Sequence, residues 1–220
     1  MIALPLTRPI ATFIQPDITK SGLVAQYKFN GNAIDSSGNG YNGTPNNSPT
    51  FGGTNVLLNG TNQSIAINAT PIQVYPFTIN VWVNITTGGF IWSQTLTTDY
   101  VGFMVWATST NLGLHIANGS GTDTVAQIST SITGWNMLTA LFTSNVSRTI
   151  ILNGNFASQI TDTTNLTPYY TSDNEIGMIG GYWNTQGFPN WFGGYIDDLR
   201  IYNRTLTNAE ITQLYNNRAR

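Results

Sequence analysis

Phe192-Gly193-Gly194-Tyr195-Ile196-Asp197-Asp198-Leu199-Arg200-Ile201-Tyr202-Asn203-Arg204 carries the most informative pattern in the chain. After Ile196, the apolar Leu199 and Ile201 alternate with Arg200 and Tyr202, which is the period of a strand with one buried face. Successive side chains of a strand point to opposite sides, so Asp197 and Asp198 are expected to face apart, one inward and structural, the other toward solvent. Thr207-Asn208-Ala209-Glu210 follows in the form of a capping box, with Thr207 as N-cap and Glu210 reaching back to its backbone N–H. Ile211, Leu214 and Tyr215 then share one face, which predicts a short helix docked on the sheet of that strand.

Elsewhere the apolar period stays near two. Phe77, Ile79, Val81 and Val83 alternate with Thr78, Asn80, Trp82 and Asn84, the clearest strand of the chain. Further strands are expected over 24–29, 55–58, 64–67, 90–93, 100–107, 112–117, 124–128, 136–143, 148–152, 156–160 and 175–179, separated by Gly, Asn, Ser and Thr clusters. Twelve or more short strands with one C-terminal helix predict an all-β fold, a two-sheet antiparallel jelly-roll sandwich. It forms one domain over 21–220. Residues 1–20 differ: Pro5, Pro9 and Pro16 disfavour helix and central strand, yet Ile2, Leu4, Leu6, Ile10, Phe13 and Ile14 are more apolar than a disordered leader. An extended arm that lays these side chains on a partner subunit is the expectation.

Composition narrows the function. Charged residues make up only 8% of the 220, against about 25% in ordinary globular proteins. With eight Lys or Arg and a net charge of −2, the chain has no basic stripe for a phosphate backbone, so nucleic-acid binding is not expected. No apolar run approaches the ~18 residues of a membrane helix. Pro5, Arg8 and Pro9 interrupt what would have to be a signal peptide. Cysteine is absent, so disulfides contribute nothing to stability.

The 192–204 segment, followed by Leu206-Thr207-Asn208-Ala209-Glu210-Ile211, resembles the C-terminal signature of laminin-G-like domains in the concanavalin A-like jelly-roll superfamily. Three further blocks are similar to the same family in the expected order: 24–29 with 34–40 and 43–44, then 77–83, then 134–135 through 151–154. The resemblance spans roughly 23–217 and implies a fold, not a function, because the superfamily includes lectins, adhesion modules, pentraxin-like proteins and glucanases. Asp35-Ser36-Ser37-Gly38-Asn39-Gly40 opens like an EF-hand loop, but position 12 is Asn46 and no helices flank it, which rejects an EF-hand. Many members of the resembled family hold a structural Ca2+ near this loop and the Ile-Asp-Asp strand. Carried over, that implies Asp35, Asp198 and backbone carbonyls around Asn30, Gly38 and Asn39. On the residues alone, Asp35 and Asn39 serve equally well as turn caps, with Asp198 paired to Arg200 or a backbone N–H.

Glycoside cleavage normally needs two carboxyls about 5–9.5 Å apart. The chain has two glutamates, Glu175 and Glu210, the second assigned to the capping box, and it lacks the Glu-x-Asp-x-x-Glu run of the resembled glucanases. His115, the one histidine, reads as a partly buried strand residue, so no enzyme activity is expected. For binding, the segment from Gly181 to Trp191 stands out, with Tyr182, Trp183, Asn184, Asn190 and Trp191 offering rings for stacking and amides for hydroxyls. Trp106 and Tyr169-Tyr170 are candidates to join it, whereas Trp82 and Trp135 are assigned to the core. Packing against the sandwich or a neighbouring subunit explains the same loop aromatics equally well.

The expected function is therefore a non-catalytic structural, decoration or adhesion subunit on a particle such as a bacteriophage virion. It contacts other subunits through its arm, forms homo-oligomers where the particle requires it, and has host glycans as a further ligand. The alternative is a stand-alone carbohydrate-binding lectin or adhesion module. Either places the protein on a virion or another extracellular surface, with no insertion in a membrane.

Overall fold

The computed structural model describes residues 20–96, 101–118, 124–165, 175–182 and 191–218. Apart from Lys20, the expected arm lies outside the described residues. In chain order the first strands are β1 (Leu23–Tyr27), β2 (Thr44–Asn46), β3 (Thr50–Phe51), β4 (Val56–Asn59), β5 (Ser64–Ile67) and β6 (Phe77–Leu96). Next come β7 (Val101–Ala107), β8 (Asn111–Asn118), β9 (Thr124–Ser129), β10 (Trp135–Ser144) and β11 (Ser147–Leu152). β12 (Ile160–Asp162), β13 (Glu175–Ile179), β14 (Gly193–Tyr202) and the helix α1 (Asn208–Arg218) complete the described elements.

All strand pairs are antiparallel and fall into two layers. The first layer runs β12-β11-β10-β6-β14, with β14 paired along its far side to β1 and β4, and β4 to β3. The second runs β2-β5-β13-β6-β7-β8-β9. β6 belongs to both: its residues 77–85 pair in the first layer and 89–96 in the second. Two separate strands were expected here. Gly88 and Gly89 join them, with φ of +80° and +129°, turning the chain from one sheet into the other without breaking it.

The core lies between the layers. Phe77 stacks on Phe142 with centroids 4.4 Å apart, and Phe103 meets Phe77 edge-on at 4.9 Å. A second apolar cluster lies under α1, where Ile211 and Leu214 cover Trp82, Met137 and Tyr202. Trp82 is buried as expected and stacks on Tyr215, while Trp135 is only partly buried at the margin of that cluster. The capping box forms as read: Glu210 accepts from the Thr207 N–H at 2.8 Å, and Thr207 Oγ1 accepts from the Glu210 N–H at 3.3 Å. Residues 156–160, expected as a strand, instead make a 3-10 turn over Phe156–Ser158, because the Asn155 side chain caps it by accepting from the Ala157 N–H. Pairing resumes only at β12.

Candidate functional site

The ladder registers of β6, β7, β8 and β9 place Phe90, Trp106, Gly113 and Gln127 side by side in one row across the second sheet. A neighbouring row carries Ser93, Met104, His115 and Val125. Both rows point away from the core, since the alternate residues Phe103, Val105, Leu112, Leu114, Ala126 and Ile128 fill it.

Gly113 decides what the first row can do. A Cβ at that position would lie 2.7 Å from Cε2 and Cζ2 of Trp106 and 2.8 Å from Nε1, so the indole rests flat on the backbone of β8. The other ring face is turned outward, over a groove of about 400 Å³ lined by Phe90, Trp106, Thr108, His115, Val125 and Gln127. Val125 is 46% exposed, large for an apolar side chain, while Phe90 is buried against Met104 and Ala117. The Gln127 amide is set in place by Asn111 Oδ1, to which Nε2 donates at 2.8 Å. A flat aromatic face, an apolar flank and a fixed amide suit the CH faces and hydroxyls of a sugar ring.

Tyr182 and Trp191, the described ends of the 182–191 segment, both meet Phe90. Tyr182 is 93% withdrawn from solvent and packs edge-on against Phe90 with centroids 5.1 Å apart, which makes it a buried support behind Phe90 and not an exposed stacking face. Trp191 is half-buried, its backbone bridges Phe90, and its ring covers Gly181, where a Cβ would come within 2.6 Å of Cζ3. The approach is fixed by the Ser93 hydroxyl, which donates to the Gly181 carbonyl at 2.9 Å, and by the Phe192 N–H, which donates to the Gly180 carbonyl at 3.0 Å. Trp183, Asn184 and Asn190 lie outside the described residues, as do Tyr169 and Tyr170. Gly113, Phe90, Val125 and Gln127 went unread in the sequence. The signal was present in strand parity: Met104 and Trp106 are the even members of one alternating run, and residues 113, 115, 125 and 127 the odd members of the next two.

The residues implied for calcium come together but do not fit an ion. Asp35 accepts four hydrogen bonds: Oδ1 from the N–H of Gln26 and Ser37, Oδ2 from the Ser37 hydroxyl and the Tyr41 N–H, all between 2.8 and 3.1 Å. Asp198 is not the solvent-facing partner of Asp197. A bulge between Asp197 and Arg200, with φ of +45° at Asp198, turns it inward, and both aspartates are buried. Asp198 accepts from Gln26 Nε2 at 2.7 Å and from Arg200 at 2.9 and 3.1 Å. Gln26 thus links both carboxylates, and the Arg200 guanidinium supplies the positive charge. Asn39 and Gly38 are exposed, and the Asn39 amide donates to the carbonyls of Leu23 and Val24, while the Asn30 carbonyl accepts from the Asn32 amide at 3.5 Å. No cluster of three or more His, Cys, Asp or Glu occurs among the described residues.

Three further carboxylates among the described residues are likewise engaged. Glu175 is buried in β13 beside Gln94, whose Nε2 donates to it at 2.8 Å; burial pushes its pKa up, and that hydrogen bond acts in the opposite direction. Glu210 is held down at about 2 by its hydrogen bonds with Arg204. Asp162 pairs with Arg148, which is wholly buried.

A two-layer antiparallel sandwich closed by one C-terminal helix has the architecture of the concanavalin A-like jelly rolls. The chain belongs to the concanavalin A-like lectin/glucanases superfamily, whose family model matches residues 59–212. No curated protein matches it in sequence. Among solved structures it is similar to domain 4 of AbnA, an extracellular arabinanase from Geobacillus stearothermophilus in complex with arabinotriose, with 23% identity, a TM-score of 0.69, and 89% of this chain and 98% of that one covered. It is also similar to the binding domain of botulinum neurotoxin DC in complex with SialylT (15% identity, TM-score 0.65) and to the receptor-binding domain of type G (19%, 0.64). The match spans 90% and 89% of this chain but only about half of the toxin domains, 52% and 51%. At these identities the likeness concerns the fold.

Proposed function

We propose that the protein is a non-catalytic carbohydrate-binding domain whose ligand sits on Trp106 in the groove of the second sheet. The observation that carries the reading is the Trp106 indole lying flat on Gly113, with one face turned outward between Phe90 and Gln127. The saccharide- and receptor-binding neighbours in the same fold support it. A non-catalytic role is supported by the carboxylates of the described residues, which are buried or held in hydrogen bonds with Arg, Gln and backbone groups. A glycan array probed with the wild type and with Trp106→Ala tests it: binders lost on substitution are expected, and a chain that binds nothing on the array overturns it.

The domain then acts as an adhesion or decoration subunit on a particle surface, a virion for instance. The weakly charged, Asn- and Thr-rich composition and the apolar side chains of residues 1–20 support that setting. No helix among the described residues is long and apolar enough to cross a membrane. Native mass measurement of the full chain and of a version lacking residues 1–20 tests the arm: assemblies that persist unaltered without it rule it out as the subunit contact.

A further inference from the structure

We infer that the groove takes an uncharged saccharide and rejects glycans carrying sialic acid, uronic acid or sulfate. This rests on the carbohydrate-binding reading of the Trp106 groove. The argument is electrostatic. A carboxylate or sulfate brought onto a protein surface loses water, and its recognition normally rests on a guanidinium or ammonium partner. No Lys or Arg among the described residues lines the groove.

The chain's eight basic residues are Arg8, Lys20, Lys28, Arg148, Arg200, Arg204, Arg218 and Arg220. Between Lys28 and Arg148, and again between Arg148 and Arg200, the sequence holds no Lys or Arg at all. Every strand of the second sheet, β2, β5, the later half of β6, β7, β8, β9 and β13, falls inside those two gaps. So do the segments 97–100, 119–123, 166–174 and 183–190, none of which contains a cation, while Asp99, Asp123 and Asp173 add negative charge. The arginines of the first layer are committed elsewhere: Arg148 to Asp162, Arg200 to Asp198, Arg204 to Glu210. What lines the groove is an indole, a hydroxyl, an amide, an imidazole and apolar carbons. These hydrogen-bond and stack against a neutral sugar, and they offer an anionic one no counter-charge while His115 is neutral.

The test compares matched glycans by titration calorimetry at pH 8, where an unperturbed imidazole is uncharged. Lactose is paired with sialyllactose, and arabinotriose and cello-oligosaccharides with uronic acid oligomers of equal length. The expected result is binding to neutral members, with the charged member of each pair at least about tenfold weaker. Affinity for the neutral members should change less than about twofold between low and high salt, since no ion pair is there to be screened. Tighter binding of the sialylated or uronic member, weakening as salt rises, overturns the inference and leaves the carbohydrate reading standing. Binding to neither class overturns both. Neutral-glycan binding that survives Trp106→Ala unchanged moves the ligand off the groove, which also overturns the inference. As a gain-of-function control, Val125→Lys places a cation at the groove edge and should narrow the gap within each pair; an unchanged gap counts against the electrostatic argument.

Discussion

Gly113→Ala adds one carbon to the floor beneath Trp106. Contacts between carbon atoms settle near 3.5–4.0 Å, and the new Cβ would start 2.7 Å from the indole. The ring must therefore lift by about 1 Å. An aromatic side chain carries about 150–250 Å² of surface, so a sugar covering roughly a third of it removes about 50–80 Å² from water. At about 25 cal/mol per Å² this is worth ~1.3–2 kcal/mol, or about 8–30-fold in Kd. Trp106→Ala should lose that whole amount. Gly113→Ala keeps the ring but raises it, while His115 and Gln127 stay fixed by their strands. The sugar then keeps either the stack or its polar contacts in full, not both. A gap of 0.5–1 Å forfeits about a quarter to a half of a contact well, which predicts about 0.4–1 kcal/mol, or 2–5-fold weaker binding. Titration with the best binder from the array gives both numbers, with circular dichroism to confirm that each variant is folded. Affinity unchanged in Gly113→Ala while Trp106→Ala abolishes binding would show that the height of the ring does not matter. If both variants bind like wild type, then the platform is not the site.

Three further outcomes follow from the ion pairs and buried carboxyls. Glu210, held at about 2 against an ordinary 4.5, stabilises the fold above about pH 4.5, and the contribution fades as pH falls toward 2. The full shift corresponds to about 3.4 kcal/mol; because Arg204 is partly in water, about 1–2 kcal/mol is expected, and Glu210→Gln should flatten the thermal transition over that acid window. Arg200→Gln strips the charge partner from a buried Asp198 and should cost about 3–5 kcal/mol, whereas EDTA should leave the wild-type Tm unmoved. An EDTA-induced drop that Asp35→Ala abolishes would show instead that calcium is held at Asp35. Glu175, with its pKa raised by burial, works in the opposite sense to Glu210: its ionisation weakens the fold as pH rises from 4.5 through the raised value. Glu175→Gln should remove that decline in a Tm-versus-pH series, and a decline that persists places its source elsewhere.

Much of the sandwich was legible because its strands obey one local rule. Alternation over 77–84 and 193–202, and the capping box at Thr207, report burial and termination within a few residues of themselves. What escaped depends on the third dimension. Asp197 and Asp198 read as facing apart until a bulge, visible only once β14 pairs with β6 and β1, turns the second aspartate inward. The 3-10 turn at Phe156–Ser158 won over a strand because Asn155 offers its own cap, a local competition that apolar periodicity does not register. The groove was hidden for a related reason. Large aromatics announce themselves, so the loop from Tyr182 to Trp191 drew attention, and Trp106 entered only as an adjunct. Its setting depends on a residue with no side chain, seven positions away and opposite it in the ladder.

The two layers divide the labour of the molecule. The first sheet carries the helix, the capping box and the ion pairs of Arg148, Arg200 and Arg204, with Asp35 and Asp198 tied through Gln26. Every one of these satisfies a buried polar group, and removing any of them strands its partner. The outer face of the second sheet holds few such obligations around Trp106: the side chains that line the groove sit above a core already filled by their strand neighbours. Affinity can therefore change there with little effect on folding. Trp106→Ala should leave Tm within a few degrees of wild type while weakening binding by about tenfold or more, whereas Arg200→Gln should lower Tm and leave the affinity of the folded fraction intact. A Trp106→Ala variant that unfolds outright would mean that the indole is a structural prop, and the case for a platform open to ligand would fall with it.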